Sequence, residues 1–327
     1  MSRSTDRRSG GRRSARTAFA ALAAAGLLFA AGCSSSDGDG GDAADDPTAA
    51  PPSAGTPGPS ASGSAGSPSP DGSPDPSGTA GPSGTGKPSG RSGGGAVWHP
   101  PAGVAWQWQL GGKVDQSVDV PVYDIDGFEN DAGVVSALHA KGRKVICYIN
   151  VGAWESFRSD AGAFPESVRG SGDGWDGERW LDIRQLDKLR TLMGARFDMC
   201  RDKGFDAVEP DLVEGYANKT GFPLTADDQL RFNRMIADLA HERGLGVGLK
   251  NDLAQIPALV DVFDFSVDEQ CAEFDECAAL TPFIKQNKAV LHVEYNVQPA
   301  DFCGRARSLG LSSMAKHKEL DAWRKPC

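Results

Sequence analysis

The chain has 327 residues, and its acidic residues outnumber its basic ones, so that the formal net charge at pH 7 is −10. The first 16 residues hold six arginines against one aspartate, and without them the net charge falls to −15. An acidic protein of this kind is a poor partner for nucleic acid and a suitable one for a cationic polymer.

The first 33 residues have the pattern of an export signal. An arginine-rich start precedes an apolar run over 17–31, which is too short to span a membrane comfortably. The run ends in Ala30-Ala31-Gly32-Cys33, which resembles the lipobox of bacterial lipoproteins, where the cysteine becomes the lipidated N-terminus. We therefore predict lipidation at Cys33 and a protein anchored on the extracellular face of the membrane. Ordinary signal cleavage followed by secretion is the alternative.

Residues 34–96 form a segment of a different composition. Gly, Ser, Pro and Ala dominate it, and it has no aromatic or β-branched aliphatic side chain to bury. Such a composition cannot form a hydrophobic core, so we predict a disordered, flexible linker. The remaining residues, 97–327, number about 230, which fits one globular domain.

Short apolar runs alternate with helical patterns along 97–327, which indicates repeated βα units and a parallel sheet. The predicted strands cover 105–110, 120–126, 144–151, 206–211, 246–251, 264–270, 289–296 and 311–317. The predicted helices cover 130–141, 185–203, 226–243, 253–260, 275–286 and 299–308. Eight strands with helices outside them predict an α/β fold of the (β/α)8 TIM-barrel type, with an open doubly wound sheet as the alternative.

Two local features qualify this architecture. The segment 111–119 is too short and polar for a barrel helix, so the repeat is irregular there. No Gly-x-Gly-x-x-Gly pattern follows the first strand, so nothing indicates a dinucleotide cofactor.

Six of the seven cysteines lie in the predicted domain, and an even number in an exported protein suggests disulfides. Six cysteines allow fifteen connectivities, but the 271–277 loop is the easiest to close, and a bond from 303 to 327 would hold the C-terminus. The third pair then follows by elimination. The predicted pairs are Cys147–Cys200, Cys271–Cys277 and Cys303–Cys327. A metal site is a weaker reading, because the cysteines and histidines lack the spacing of common ligand motifs.

Acidic residues recur at the carboxyl ends of the predicted strands, where a TIM barrel builds its active site. These residues are Asp124, Asp126, Glu209, Asp211, Glu269 and Glu294. One such acid more often caps a helix or binds loop amides, but acids on four strands together predict a shared site. Lys250, at the end of the fifth strand, adds a cation that could orient a carboxylate or simply neutralise the acids.

Aromatic residues near the same strand ends favour a carbohydrate ligand, because the apolar faces of sugars stack on rings. The candidates are Trp106, Trp108, Tyr123, Tyr148, Trp154, Tyr216 and Tyr295, of which the two at 106 and 108 could equally belong to the core. Glycoside hydrolysis needs two carboxyl groups, one to protonate the leaving oxygen and one to attack the sugar or activate water. The strand ends offer such a pair several times.

Several motifs together resemble glycoside hydrolase family 114, the endo-α-1,4-polygalactosaminidases. They are WQWQL at 106–110, YDID at 123–126, VICYINVGAWE at 145–155, GFDAVEPD at 204–211 and DEQC at 268–271. The resemblance spans essentially all of 97–327. It implies a TIM barrel that cleaves α-1,4-linked galactosamine polymers without a metal or other cofactor.

Position by position, the resemblance implies Asp211 and Glu269 as the catalytic pair, with Asp211 as nucleophile and Glu269 as acid/base, or the two roles exchanged. The substrate-binding candidates are Asp124, Asp126, Tyr148, Glu209, Lys250 and Glu294. A polycationic amino-sugar polymer would suit the acidic charge. We expect a monomer whose only membrane contact is the lipid anchor.

Two other functions are compatible with the same sequence. A non-catalytic surface lectin would keep the barrel and its aromatic residues without turnover, although both catalytic candidates are present. A metal-dependent hydrolase or an aldolase could use the same fold, with Lys250 as the one feature in favour of the aldolase.

Overall fold

The computed structural model describes residues 97–327. The predicted export signal over 1–33 with its lipidation site Cys33, and the predicted linker over 34–96, lie outside these residues. Within the described range, no helix is both long enough and apolar enough to cross a membrane.

Each of the eight predicted strands is present, and all eight are shorter than predicted by one to three residues. They are β1 Trp106–Gln109, β2 Val122–Asp126, β3 Lys144–Asn150, β6 Ala207–Asp211, β7 Gly246–Lys250, β8 Phe265–Glu269, β9 Val290–Glu294 and β10 Ser312–Ala315. Two short strands, β4 Ala153–Glu155 and β5 Glu178–Trp180, form an antiparallel pair within the long connection from β3 to β6. The last strand is β11 Lys325–Pro326.

The helices alternate with most of the strands. They are α1 Ala132–His139, α2 Leu186–Lys203, α3 Ala226–His241, α4 Ile256–Leu259, α5 Thr281–Lys285 and α6 Pro299–Ser308. The described residues have no α-helix between β1 and β2, and α4 and α5 are single turns. The (β/α)8 count of the prediction is therefore incomplete, because the short polar segment 111–119 and the loops before α4 and α5 leave too few residues for full helices.

The main sheet has nine strands in the order β1-β2-β3-β6-β7-β8-β9-β10-β11. The first eight are parallel to one another, and β11 pairs antiparallel to β10. The sheet curls so that its first and last parallel strands approach: Trp106 Nε1 on β1 donates to the Ser312 carbonyl on β10 at 2.8 Å. The C-terminal segment covers the remaining gap, since Leu110 N donates to Leu320 O at 3.0 Å.

Two buried clusters lie on the two faces of this curled sheet. The inner cluster includes Trp106 and Trp108, whose side chains are almost fully buried, together with Val267 and Val293. The larger outer cluster joins the other face of the strands to the helices. Alternate residues of each strand face the two clusters, as the two-residue period of a β-strand requires. The two tryptophans therefore belong to the core.

All three predicted disulfides are present: Cys147–Cys200, Cys271–Cys277 and Cys303–Cys327. The first joins β3 to α2 on the outer face, and the last attaches the C-terminus to α6. The second closes the loop that follows β8. His292 lies near the sulfur atoms of this second pair, but disulfide-bonded cysteines cannot act as thiolate ligands of a metal.

Candidate active site

The carboxyl ends of β6, β7 and β8 bring three carboxylates around one ammonium group. Lys250 Nζ lies 2.8 Å from Asp211 Oδ1, 3.1 Å from Glu209 Oε1 and 3.1 Å from Glu269 Oε2. The Lys250 side chain is only 2% exposed, whereas those of Asp211 and Glu269 retain 16% and 25% exposure. The lysine therefore lies beneath two carboxylates that remain open to solvent.

Two tyrosines donate hydrogen bonds to these open carboxylates. The Tyr148 hydroxyl, from β3, donates to Asp211 Oδ2 at 2.6 Å. The Tyr295 hydroxyl, one residue beyond β9, donates to Glu269 Oε1. Each open carboxylate is thus held between the shared lysine and a tyrosine of its own, which fixes the direction of both groups.

The strand period explains why these side chains meet. Glu209 and Asp211 lie two residues apart on β6 and share its inner face, and Lys250 ends β7 on the same face. Trp108 forms part of the floor, because its ring centroid lies 4.9 Å from Lys250 Nζ. A lysine in contact with an aromatic face and three carboxylates is stabilised as the cation despite its burial.

The protonation states follow from this arrangement. Burial raises the pKa of Asp211, but the charge of Lys250 and the hydrogen bonds from Lys250 and Tyr148 outweigh it, so that the net pKa lies below the ordinary value. Burial lowers the pKa of Lys250, and the three surrounding carboxylates more than reverse this effect and raise it. Asp211 is therefore ionised and Lys250 charged at neutral pH.

A second layer of acids lies beneath the open pair. Asp124, in the middle of β2, and Glu209 are both completely buried. Burial, followed by the charge of Glu209, holds the pKa of Asp124 well above its usual range. Asp124 and Glu209 were predicted to bind substrate, but both side chains are completely buried, so neither reaches a ligand at the surface.

Sequence reasoning missed three further acids that lie outside the main sheet: Asp173, Glu178 at the start of the short strand β5, and Glu214. Burial raises the pKa of Glu178 to about 9, and the charge of Asp173 adds to this effect. Glu214, three residues after Asp211, has its pKa raised to about 8 by burial and by the charge of Asp211. The length of the 151–185 connection is the one sequence signal that could have drawn attention to Asp173 and Glu178.

The structure corrects the prediction that Asp126 binds substrate. Its carboxylate accepts two hydrogen bonds from Arg158, at 2.7 and 3.1 Å, and two more from the backbone amides of Phe128 and Glu129. Arg158 also donates to Glu155 at 2.8 Å. Because these contacts occupy the carboxylate, Asp126 is a structural residue that anchors the loop after β4.

The prediction for Glu294 is also corrected. Glu294 and His292 are completely buried and face the helices, where His292 packs against Phe302 of α6. Glu294 Oε1 accepts from His292 Nε2 at 2.8 Å and from the Ala272 amide at 2.7 Å. Strand alternation sends the next residue, Tyr295, to the inner face, so the tyrosine reaches the site and Glu294 does not.

The chain is similar to several known proteins. A curated relative of the chain, an uncharacterised protein of Deinococcus radiodurans, is 27% identical over 232 residues and covers 62% of this chain and 73% of its own length. Among solved structures, the glycoside hydrolase domain of PelA from Pseudomonas aeruginosa has a TM-score of 0.54 at 14% identity, over 69% of this chain and 98% of the domain. At that identity the likeness concerns the fold alone.

A second solved structure is much more similar in sequence. Ega3 of Aspergillus fumigatus, in complex with galactosamine, is 38% identical with a TM-score of 0.67, over 71% of this chain and 98% of its own. The model of the glycoside-hydrolase family GH114 matches residues 88–327. On this match, and with two carboxylates exposed at the strand ends of a curled parallel sheet, the chain belongs to glycoside-hydrolase family GH114.

Proposed function

We propose that the protein hydrolyses α-1,4-linked galactosamine polymers with Asp211 as the nucleophile and Glu269 as the acid/base. The observation that carries the proposal is the pair of partly exposed carboxylates on either side of the Lys250 ammonium. Two carboxyl groups are the apparatus that glycoside hydrolysis requires. The 38% identity to a structure that contains galactosamine supports the substrate class.

The surroundings of Asp211 support its role as the nucleophile. The pKa of Asp211 is lowered despite burial, because the charge of Lys250 and the hydrogen bonds from Lys250 and Tyr148 favour the ionised form. An ionised carboxylate can attack the anomeric carbon, so Asp211 is the nucleophile and Glu269 transfers the proton to the leaving oxygen. Tyr295 orients Glu269 for this transfer.

The spacing of the pair supports retention of configuration. Asp211 Oδ1 and Glu269 Oε2 both contact one nitrogen, at 2.8 and 3.1 Å, so they are at most about 6 Å apart. Retaining enzymes place their carboxyl groups about 5 to 5.5 Å apart, whereas inverting enzymes need about 6.5 Å or more to admit a water. The short distance between these two oxygens favours the retaining arrangement, so the reaction we propose passes through a covalent intermediate on Asp211.

Charge and exposed aromatic rings favour a long cationic substrate. Burial raises the pKa of Glu178 to about 9 and that of Glu214 to about 8, and the charge of Asp211 adds to both effects, so these two groups are neutral at pH 7 and can form hydrogen bonds with a sugar. A de-acetylated galactosamine chain carries an ammonium on each sugar and gains from the negative net charge of the protein, −10 at pH 7. The exposed large hydrophobic residues of the described range are Phe157, Phe274 and Trp323, all in segments that follow strands of this end. They favour endo-acting cleavage of a bound chain.

We also propose that the enzyme is exported, lipidated at Cys33 and held as a monomer outside the cell by its linker. Three disulfides suit an oxidising, extracellular location. Membrane fractionation of cells that carry the protein or its Cys33→Ala variant tests this proposal. Release of the variant into the medium is expected, and an unchanged distribution would contradict the anchor.

The function is tested by measuring reducing ends released from partly de-acetylated α-1,4-galactosaminan in the presence of EDTA. Wild type is compared with Asp211→Asn and Glu269→Gln, and with Glu242→Gln, an exposed glutamate at the end of α3, as the matched control. We expect cleavage by wild type and control, and a loss of at least about 1,000-fold in both site variants. Binding of the polymer without cleavage would instead indicate a carbohydrate-binding protein without turnover.

A further inference from the structure

Asp124 is a carboxyl group that the reaction proposed above does not use. It lies in the middle of β2, beside Trp108 on β1 and Ile146 on β3 in the strand register, and its side chain is completely buried. In the described part of the chain, no N–H or O–H donor reaches either of its oxygens. An ionised carboxylate without a donor in such a position is very costly.

The charges around Asp124 make the ionised form still less favourable. On β6, Glu209 is completely buried and Asp211 is ionised, and on β7 the only cation is Lys250. That lysine already contacts three carboxylates, and the Tyr148 hydroxyl on β3 donates to Asp211. Trp108 contributes a neutral ring from β1. A fourth carboxylate charge in this space would have no counter-ion of its own.

We propose that Asp124 is a neutral carboxylic acid that donates its proton in a hydrogen bond to Glu209, and that this bond holds Glu209 as the anion beneath Lys250. Asp124 is then a positioning residue. It acts through Glu209 on Lys250, and Lys250 in turn holds both Asp211 and Glu269. The catalytic consequence rests on the function proposed above, whereas the position of the proton does not.

The titration behaviour agrees with this assignment. Burial first, and then the charge of Glu209, raises the pKa of Asp124 well above its usual range, and the Lys250 charge only partly opposes the increase. Burial also raises the pKa of Glu209, but Lys250 and the hydrogen bond from Asp124 both favour its ionised form. When the two carboxyl groups compete for one proton, Asp124 keeps it.

Exchanging each acid for its amide locates the proton, because an asparagine can donate to Glu209 as the neutral acid does. We expect Asp124→Leu and Glu209→Gln each to lower kcat by at least about tenfold, and Asp124→Asn to restore most of the activity that Asp124→Leu loses. If Glu209→Gln stays active while Asp124→Asn is inactive, the proton lies on Glu209, and the proposal is overturned. An equal decrease of kcat in Asp124→Asn and Glu209→Gln, or no decrease in either variant, would also overturn the proposal.

A second measurement needs no substrate, and it therefore distinguishes failure of this inference from failure of the proposed function. A raised pKa in the folded state gives a stabilisation that is complete below the unfolded pKa, about 3.9, and is lost as the pH rises. The asparagine of Asp124→Asn never ionises, so its stability lacks this pH dependence. The Tm of the variant minus the Tm of wild type should therefore increase as the pH is raised from about 4 to about 8. The infrared carbonyl absorption of protonated carboxylic acids should be weaker in this variant than in wild type at pH 7, because Asp124 no longer contributes to it while Glu178 and Glu214 still do. A constant Tm difference, or an unchanged band, would overturn the proposal.

Discussion

Lys250 Nζ lies 2.8 Å from Asp211 Oδ1, and this contact joins the buried cation of the site to a carboxyl group whose pKa it lowers. The same nitrogen contacts Glu269 and Glu209. One side chain therefore contacts both members of the proposed catalytic pair and lowers the pKa of Asp211.

Replacing Lys250 with methionine keeps much of the side chain's volume but removes its charge. Three carboxylates then lose their cation, so we expect kcat/KM to fall by about 100-fold or more and the free energy of unfolding to decrease. Because Lys250 lowers the pKa of Asp211, the acidic limb of the pH profile should move to higher pH. Kinetics across pH measure this shift, with the exposed Lys188→Met as control. An unmoved limb would contradict the role of Lys250.

Removing the Tyr148 hydroxyl tests the other contact of Asp211. Tyr148→Phe deletes a hydrogen bond to the ionised form, so the pKa of Asp211 should rise and kcat should fall by about tenfold or more. Tyr123→Phe is the control, because the Tyr123 hydroxyl donates to the Val118 carbonyl on the outer face of the sheet. A similar change of the pH profile in both variants would show that the effect is not specific to Asp211.

Arg158→Met separates the structural role of Asp126 from substrate binding. The change leaves Asp126 buried without its cation and Glu155 with Arg196 alone, so we expect a loss of about 3 to 5 kcal/mol in the free energy of unfolding. Urea denaturation measures the loss. KM, determined at a temperature where the variant is folded, should change little. A large increase in KM with unchanged stability would return Asp126 to the substrate site.

Two disulfides should differ in what their removal affects. Replacing Cys303 and Cys327 by serine should lower stability by about 2 to 4 kcal/mol without a large change in kcat, because this bond attaches the C-terminus to α6. Replacing Cys271 and Cys277 should also lower kcat, since their loop begins two residues after Glu269. Thermal unfolding and kinetics of the two double variants test this contrast, and equal effects on kcat would contradict it.

Trp323 provides a test of endo action. Its ring is 42% exposed and stacks on His317, with the two centroids 4.2 Å apart. Lys316 holds the segment by donating to the Trp323 carbonyl at 2.7 Å. We expect Trp323→Ala to reduce kcat/KM by about five- to tenfold for long galactosamine oligomers and by less for the shortest cleavable ones. Equal reductions at all lengths would argue against a distal sugar contact.

The strand-end rule predicted most of the central site. Tyr148, Asp211, Lys250 and Glu269 were selected because parallel strands of a barrel all end at one face. In the structure these four side chains meet within hydrogen-bond or ion-pair distance. The rule succeeds because it needs only the order of the strands and the point at which each one ends.

The failures have equally specific causes. Glu294 was preferred to Tyr295, but a difference of one residue reverses the face of a strand. Asp126 lies at a strand end, but Arg158, which neutralises it, comes from a loop whose path no local pattern predicts. The same holds for Asp173 and Glu178, which approach Asp211 only through the folding of the 151–185 connection.

The sequence by itself determined the alternating strands and helices, the three disulfides and the family, because hydrophobic period, cysteine spacing and motif order are local properties of the chain. Only the tertiary structure decided which carboxylates share Lys250, which tyrosine supports each of them, and why Asp124 has no donor. Those properties depend on burial and on distances between residues far apart in the chain. Desolvation and charge at such distances arise only when the sheet has curled and brought its strand ends together.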